Sequence, residues 1–112
     1  MSKINLTSFG LNEKESAVYL ALLELGEATI SSLVMKSRVK RTTVYASLQL
    51  LHERGLVSRF TKHKRTMYLA QDPRIFRKIL SEQELKLETI MPELLSLANV
   101  LTHKPTVRFL KV

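Results

Sequence analysis

Four side chains with hydrogen-bonding tips, Thr42, Thr43, Tyr45 and Gln49, fall within eight residues of one another, directly after the cations Arg38, Lys40 and Arg41. Twenty residues on, Lys62, Lys64 and Arg65 crowd a second short stretch. Hydroxyls and a carboxamide of this reach can exchange hydrogen bonds with the edges of heterocyclic bases, and glutamine matches the donor and acceptor pair of adenine. Ammonium and guanidinium groups bind phosphate, where they neutralise charge without reading sequence. Base readers beside phosphate binders are the equipment of a nucleic-acid surface.

The placement of charge supports the same reading. The net charge is +8, and residues 36–65 hold nine bases against one acid, Glu53, while the remainder carries nine of each sign. The whole excess therefore sits on the thirty residues that contain the candidate site. A charge that serves solubility is spread over the surface, whereas a nucleic-acid footprint is concentrated.

These residues need a frame. From Lys40 to Gly55, Val44, Leu48 and Leu51 recur at i, i+4 and i+7, one stripe of an α-helix, and Arg54-Gly55 is a stop signal. At about 100° per residue, Thr42, Ala46, Gln49 and Glu53 lie opposite that stripe and Tyr45 on its flank. Upstream, Asn12-Glu13-Lys14-Glu15 reads as a capping box opening a helix that runs to about Leu25, with Gly26 after it. Val18, Ala21, Leu22 and Leu25 form one apolar face of that helix, and Leu20 and Leu23 another. Glu27–Ile30 is an extended connection, and Ser31 is expected to cap a short helix reaching about Ser37. Arg38-Val39-Lys40 is the turn into the central helix, so two helices and a short turn make a helix-turn-helix. After Gly55 the runs Leu56–Thr61 and Thr66–Ala70 are strand-like, and Lys62-His63-Lys64-Arg65 between them is a hairpin loop built of cations. Such a hairpin after a helix-turn-helix suits a wing straddling a DNA backbone.

Asp72-Pro73 is expected to begin the last helix, with Asp72 as N-cap. Phe76, Leu80, Gln83, Leu87, Ile90, Leu94, Leu97 and Leu101 alternate spacings of four and three, a heptad seam with Gln83 as its polar interruption. Ile79, Met91, Ala98 and Val100 widen it. A helix from Pro73 to Leu101 would be about 43 Å long at 1.5 Å per residue. The preceding seventy or so residues, with an expected radius of gyration of about 11 Å, could not cover that length. A second copy of the chain is expected to do so. Pro92 takes an outward position but removes a backbone hydrogen bond, so a kink is expected there. Pro105–Val112 reads as an edge strand or an unstructured end.

The order of these elements, with Leu11-Asn12-Glu13-Lys14-Glu15, Val18–Leu23, Gly26–Ile30, Val39–Tyr45, Leu51–Val57 and Met91-Pro92-Glu93-Leu94-Leu95, resembles the TrmB-like family of winged-helix transcription regulators, close to the MarR-type group. The resemblance spans about Phe9 to Leu97 and implies an archaeal or bacterial DNA-binding regulator that dimerises through its terminal helices. This sequence departs from the family pattern in three places. Ala46 stands where a larger polar or charged residue is common, Arg38 replaces the usual turn glycine, and the chain ends soon after Val107-Arg108-Phe109, which resembles the first strand of a further, ligand-sensing domain. The chain is thus expected to be a one-domain regulator or a fragment, and the sugar sensing of longer members is not carried over to it.

The expected fold class is mainly α with a small β-hairpin. A winged helix-turn-helix DNA-binding domain spans 1–71, an amphipathic dimerisation helix kinked near Pro92 spans 72–102, and a C-terminal tail spans 103–112. Thr42, Thr43, Tyr45 and Gln49 are the expected base contacts. Arg38, Lys40, Arg41, Lys62, Lys64 and Arg65 are the expected phosphate contacts, and the seam from Phe76 to Leu101 is the dimer interface.

Other chemistries find little support. The chain has no cysteine, which excludes disulfides, thiolate zinc sites and thiol catalysis. His52, His63 and His103 lack metal-ligand spacing, and the three glycines form no phosphate-cradling loop. No enzyme activity, metal or cofactor is expected. No apolar run reaches spanning length and the N-terminus has no hydrophobic signal core, so a cytoplasmic, non-membrane protein is expected. The alternative is a winged-helix interaction module docking an acidic protein partner. RNA is a weaker third option, because the wing lacks aromatics for stacking. The sequence identifies no small-molecule effector.

Overall fold

Asn12 caps the first long helix, α1 (Glu13–Leu25), with the reciprocal bonds its spacing predicts. The Glu15 N–H donates to Asn12 Oδ1 at 2.8 Å, and the Asn12 N–H donates to Glu15 Oε1 at 2.7 Å. Before it, a single 3-10 turn over Thr7–Phe9 ends at Gly10, φ +91°. These elements belong to a computed structural model that describes residues 4–101. Its contacts separate a unit ending at Ile75 from a second beginning at Phe76.

In the first unit, α1 buries Val18, Tyr19, Ala21 and Leu22, while Leu23 and Leu25 stay exposed. The expected face is thus shifted, and Tyr19 rather than Leu25 belongs to the core. The Tyr19 hydroxyl donates to the Gln71 carbonyl at 2.8 Å, so the residue just past the second strand supplies the partner that lets a phenol be buried. Burial pushes the Tyr19 hydroxyl above its ordinary value of 10.0, and the Asp72 carboxylate adds to the shift.

The second helix, α2 (Ile30–Ser37), starts earlier than Ser31 would place it. Its cap is Thr29, whose Oγ1 accepts from the Ser32 N–H at 3.2 Å, and the earlier start carries Ile30 into the core. The turn after α2 passes through Arg38 at φ +59°, ψ +25°, the left-handed conformation for which the missing glycine would have been suited. Arg38 adopts it even so, at a cost of about 1–2 kcal/mol.

The third helix, α3 (Arg41–Glu53), buries Val44, Leu48 and Leu51 as predicted, and Ser47 beside them. It ends in a Schellman motif: the Gly55 N–H donates to the His52 carbonyl at 3.0 Å and the Leu56 N–H to the Leu51 carbonyl at 2.9 Å. Gly55 takes φ +77°, and the buried Leu51 and Leu56 supply the apolar pair that accompanies such an ending.

The hairpin is tighter than the four-residue loop expected from composition. Strands β1 (Val57–Lys62) and β2 (Arg65–Ala70) pair antiparallel from Val57↔Ala70 to Lys62↔Arg65. Only His63 and Lys64 form the turn, both at positive φ (+51° and +63°), the requirement of a two-residue type I′ connection. Lys62 and Arg65 are therefore strand residues. The connection before α2 joins the sheet as an isolated bridge: the Ala28 N–H donates to the Tyr68 carbonyl at 3.0 Å and the Tyr68 N–H to the Ala28 carbonyl at 2.8 Å.

The chain leaves the sheet through a turn rather than directly into a helix. Asp72 Oδ1 accepts from the Arg74 N–H at 2.8 Å and its carbonyl from the Ile75 N–H at 2.9 Å. Helix α4 (Ile75–Leu101) therefore begins two residues later than Pro73 suggested, and it continues through Pro92. Among the described residues, the second unit taken by itself is this helix from Phe76 onward. Leu80, Leu87, Ile90 and Leu94 on its seam are 44–47% exposed and Leu97 is 63% exposed. Phe76 is half-buried and Gln83 is exposed. The side chains of Val100 and Leu101, and the reading of 103–112 as a tail ending in an edge strand or unstructured segment, fall outside the described residues. Three helices, a two-stranded wing and a long helix make this a winged helix-turn-helix chain, mainly α. No helix among the described residues is long and apolar enough to cross a membrane.

Candidate nucleic-acid interface

Helix α3 is held by its inner stripe and turns a short-sided face to solvent. Thr42, Tyr45, Ala46 and Gln49 are exposed on it, and Thr43 is half-buried at its edge. Tyr45, at 52% exposure, stands clear of the core. Leu50, one turn after Ala46, is 43% exposed and was not anticipated as part of this face. Thr43 thus sits lower than its neighbours, and the exposed tips are Thr42, Tyr45 and Gln49.

On α3, two of the predicted residues already have partners. Gln49 Nε2 donates to Glu53 Oε2 at 2.9 Å, an i, i+4 pair along the outward face. Arg41 Nη2 donates to Ser31 Oγ at 3.0 Å, which ties the start of α3 to α2. Lys40 is the N-cap of α3 but makes no side-chain cap bond, so the first amides of α3 have no side-chain partner there. Arg38, in its left-handed turn, is exposed just before it.

On the wing, the structure separates cations that composition could not. Lys62 Nζ lies 2.9 Å from Glu27 Oε1, with both side chains about half-exposed (50% and 44%). Lys64, at the turn, and Arg65, opposite Lys62, are exposed and form no ion pair among the described residues. Exposed Arg59 on β1 adds a cation to the hairpin. Arg54, also within the basic stretch, is diverted: its guanidinium donates to the Gly10 carbonyl.

Sequence reasoning missed Glu27 and Ser31 as members of this surface, and it placed Glu53 on the outward face without its bond to Gln49. The i, i+4 spacing of Gln49 and Glu53 was a usable signal. Nothing local could reveal Glu27, which meets Lys62 across thirty-five residues. The Ala28–Tyr68 bridge brings these two together, because it lays the connection before α2 against β2. The helix-turn-helix and the wing are thereby parts of one unit, with the recognition-type helix on the same body as the basic hairpin.

Comparison with known proteins agrees with this geometry. A family profile described as "Sugar-specific transcriptional regulator TrmB" matches residues 6–74, more than half of the chain. No curated protein matches by sequence. Among solved structures, the chain is similar to TrmBL2, an archaeal chromatin protein, with 22% identity, 96% of this chain and 46% of that one covered, and a TM-score of 0.58. It is similar to the ST1889 protein of the archaeon Sulfolobus tokodaii, with 26% identity, 81% and 89% covered, and a TM-score of 0.56. It is also similar to BpsR of Bordetella bronchiseptica, with 20% identity, 78% and 62% covered, and a TM-score of 0.55. The chain thus spans less than two thirds of BpsR and about half of TrmBL2, and its likeness to those two is one of fold. On the profile match across its helix-turn-helix and wing, the chain belongs to the TrmB family of transcriptional regulators.

Proposed function

We propose that this chain is a sequence-specific, double-stranded-DNA-binding transcription regulator that acts as a homodimer. Helix α3 enters the major groove, where Thr42, Tyr45 and Gln49, with Thr43 at the edge, meet bases. Arg38, Lys40 and Arg41 meet phosphates around its start, and Lys64 and Arg65, joined by Lys62, meet them at the wing. The observation that carries this reading is the exposed polar face of α3 on the same body as two wing cations with no ion pair among the described residues. TrmBL2 and BpsR bind DNA, and the same activity is inferred for this chain.

Residues 1–71 serve as the DNA-binding domain and 72–102, built on helix α4, as the dimerisation segment, with a bend near Pro92, where the proline removes one helical hydrogen bond. The exposed seam of α4, Leu80 to Leu97 with half-buried Phe76 before it, is the surface on which a second copy closes. Two-fold symmetry then presents two copies of α3, suited to an inverted repeat with half-sites about 10–10.5 base pairs apart.

The test is a gel-shift series with random duplex, single-stranded DNA and RNA at graded salt, followed by selection from a random duplex library. Preference for duplex and recovery of a palindromic motif are expected. Equal binding to all three nucleic acids, or recovery of no motif, overturns the reading. Capture of an acidic protein without duplex binding would move the function to protein docking.

A further inference from the structure

Glu53 is the single acid among nine bases in residues 36–65, and it lies on the face of α3 that carries the polar tips. A carboxylate on a surface meant for a polyanion is a repulsive element, so its position calls for a reason. Its contact supplies one. Glu53 Oε2 accepts a hydrogen bond of 2.9 Å from Gln49 Nε2.

The carboxamide of glutamine offers two N–H donors and one acceptor oxygen. Adenine presents an acceptor, N7, and a donor, the N6 amino group, to the major groove, whereas guanine presents two acceptors, N7 and O6. An unrestrained carboxamide can meet either pattern, with one donor and its oxygen for adenine or both donors for guanine. Once Glu53 holds one Nε2 hydrogen, a single donor and a single acceptor remain. That remainder fits adenine and cannot satisfy guanine.

We infer that Glu53 is a positioning residue that sets base specificity, engaging one N–H of Gln49 so that the remaining amide edge selects adenine over guanine. The inference rests on the proposed insertion of α3 in the major groove and assigns the selectivity of one contact within it. Glu53 gives up some attraction for any DNA in exchange for this discrimination.

The experiment titrates wild type, Gln49→Ala, Glu53→Ala and Glu53→Gln on the selected duplex and on copies in which each A·T pair is replaced in turn by G·C. The position that Gln49 reads is the one at which Gln49→Ala abolishes the preference. At that position Glu53→Ala is expected to lower the preference for adenine over guanine about five- to tenfold, the lower part of what a bidentate contact supplies. It is also expected to tighten binding to random duplex, because a negative charge is removed. Glu53→Gln, whose side-chain oxygen still accepts from Gln49, is expected to keep most of the preference. A residue that merely supported the helix would weaken the adenine and guanine duplexes alike and leave their ratio unchanged. An unchanged ratio in Glu53→Ala, or no position at which Gln49→Ala alters a preference, overturns the inference while leaving duplex binding intact. Failure of wild type to prefer any duplex overturns the proposed function itself. Circular dichroism on each variant separates loss of folding from loss of selectivity.

Discussion

Removing Lys64 and Arg65 together separates electrostatic attraction from base reading. Both are exposed at the hairpin end and form no ion pair among the described residues, so each is free to neutralise one phosphate. Each lost contact removes about 0.9 from the slope of log K against log salt, so the double alanine variant flattens it by about 1.8 per wing. Over a fourfold rise in salt, from 50 to 200 mM, that difference narrows the gap between variant and wild type about twelvefold per wing. Lys62 is expected to behave differently. Its ammonium is offset by Glu27 at 2.9 Å, so Lys62→Ala flattens the slope less than Lys64→Ala does. An exposed pair of this kind is worth about 0–1 kcal/mol, so a phosphate can compete for the lysine, and some effect remains. Gln49→Ala leaves the slope nearly unchanged and costs about 1–3 kcal/mol on the selected site alone. The assay is fluorescence anisotropy of labelled cognate and random duplexes at four or more salt concentrations. A wing variant that lost only cognate binding, with Gln49→Ala weakening both duplexes equally, would refute the assignment of roles.

Arg38→Gly relieves a side chain held at φ +59° and is expected to raise stability by about 1 kcal/mol while weakening DNA binding, as read from a denaturation midpoint and a titration. A lower midpoint would count against strain at this turn. Leu87→Asp with Leu94→Asp places charges on the seam and is expected to shift light scattering from dimer to monomer, or to unfold the chain, because buried unpaired charge is strongly unfavourable. A wild-type monomer at tens of micromolar would remove the dimer. For Tyr19, whose hydroxyl is held above 10.0 by burial and then by Asp72, the folded state binds the proton more tightly than the unfolded chain. Its contribution is therefore fully present below pH 10.0 and is lost as pH rises through the folded value. Tyr19→Phe should cost about 1 kcal/mol at neutral pH and flatten the alkaline decline in urea denaturation; an unchanged decline would assign it to other groups.

The sequence by itself determined those parts of the protein that rest on local spacing. Asn12 and Glu15 satisfy each other's amides within one turn, so the capping box was legible as residue types four positions long. The stripe of Val44, Leu48 and Leu51 and the stop at Gly55 follow from helical period and from glycine's tolerance of positive φ. The clustering of cations in residues 36–65 is a property of composition, and it pointed to a polyanion before any coordinate did. Tertiary structure alone decided which of those cations are free. Lys62 meets Glu27 because Ala28 bridges Tyr68, and Tyr19 enters the core because Gln71 offers a carbonyl; the partners in each case are separated by more than thirty residues. The hairpin end was hidden for another reason. His63 and Lys64 lack the asparagine, aspartate and glycine that usually mark such a turn, so turn chemistry gave no sign, and pairing of Lys62 with Arg65 in the strand register forced them into it. Periodicity and capping act over about four residues, whereas partner choice and register are fixed only when distant segments meet.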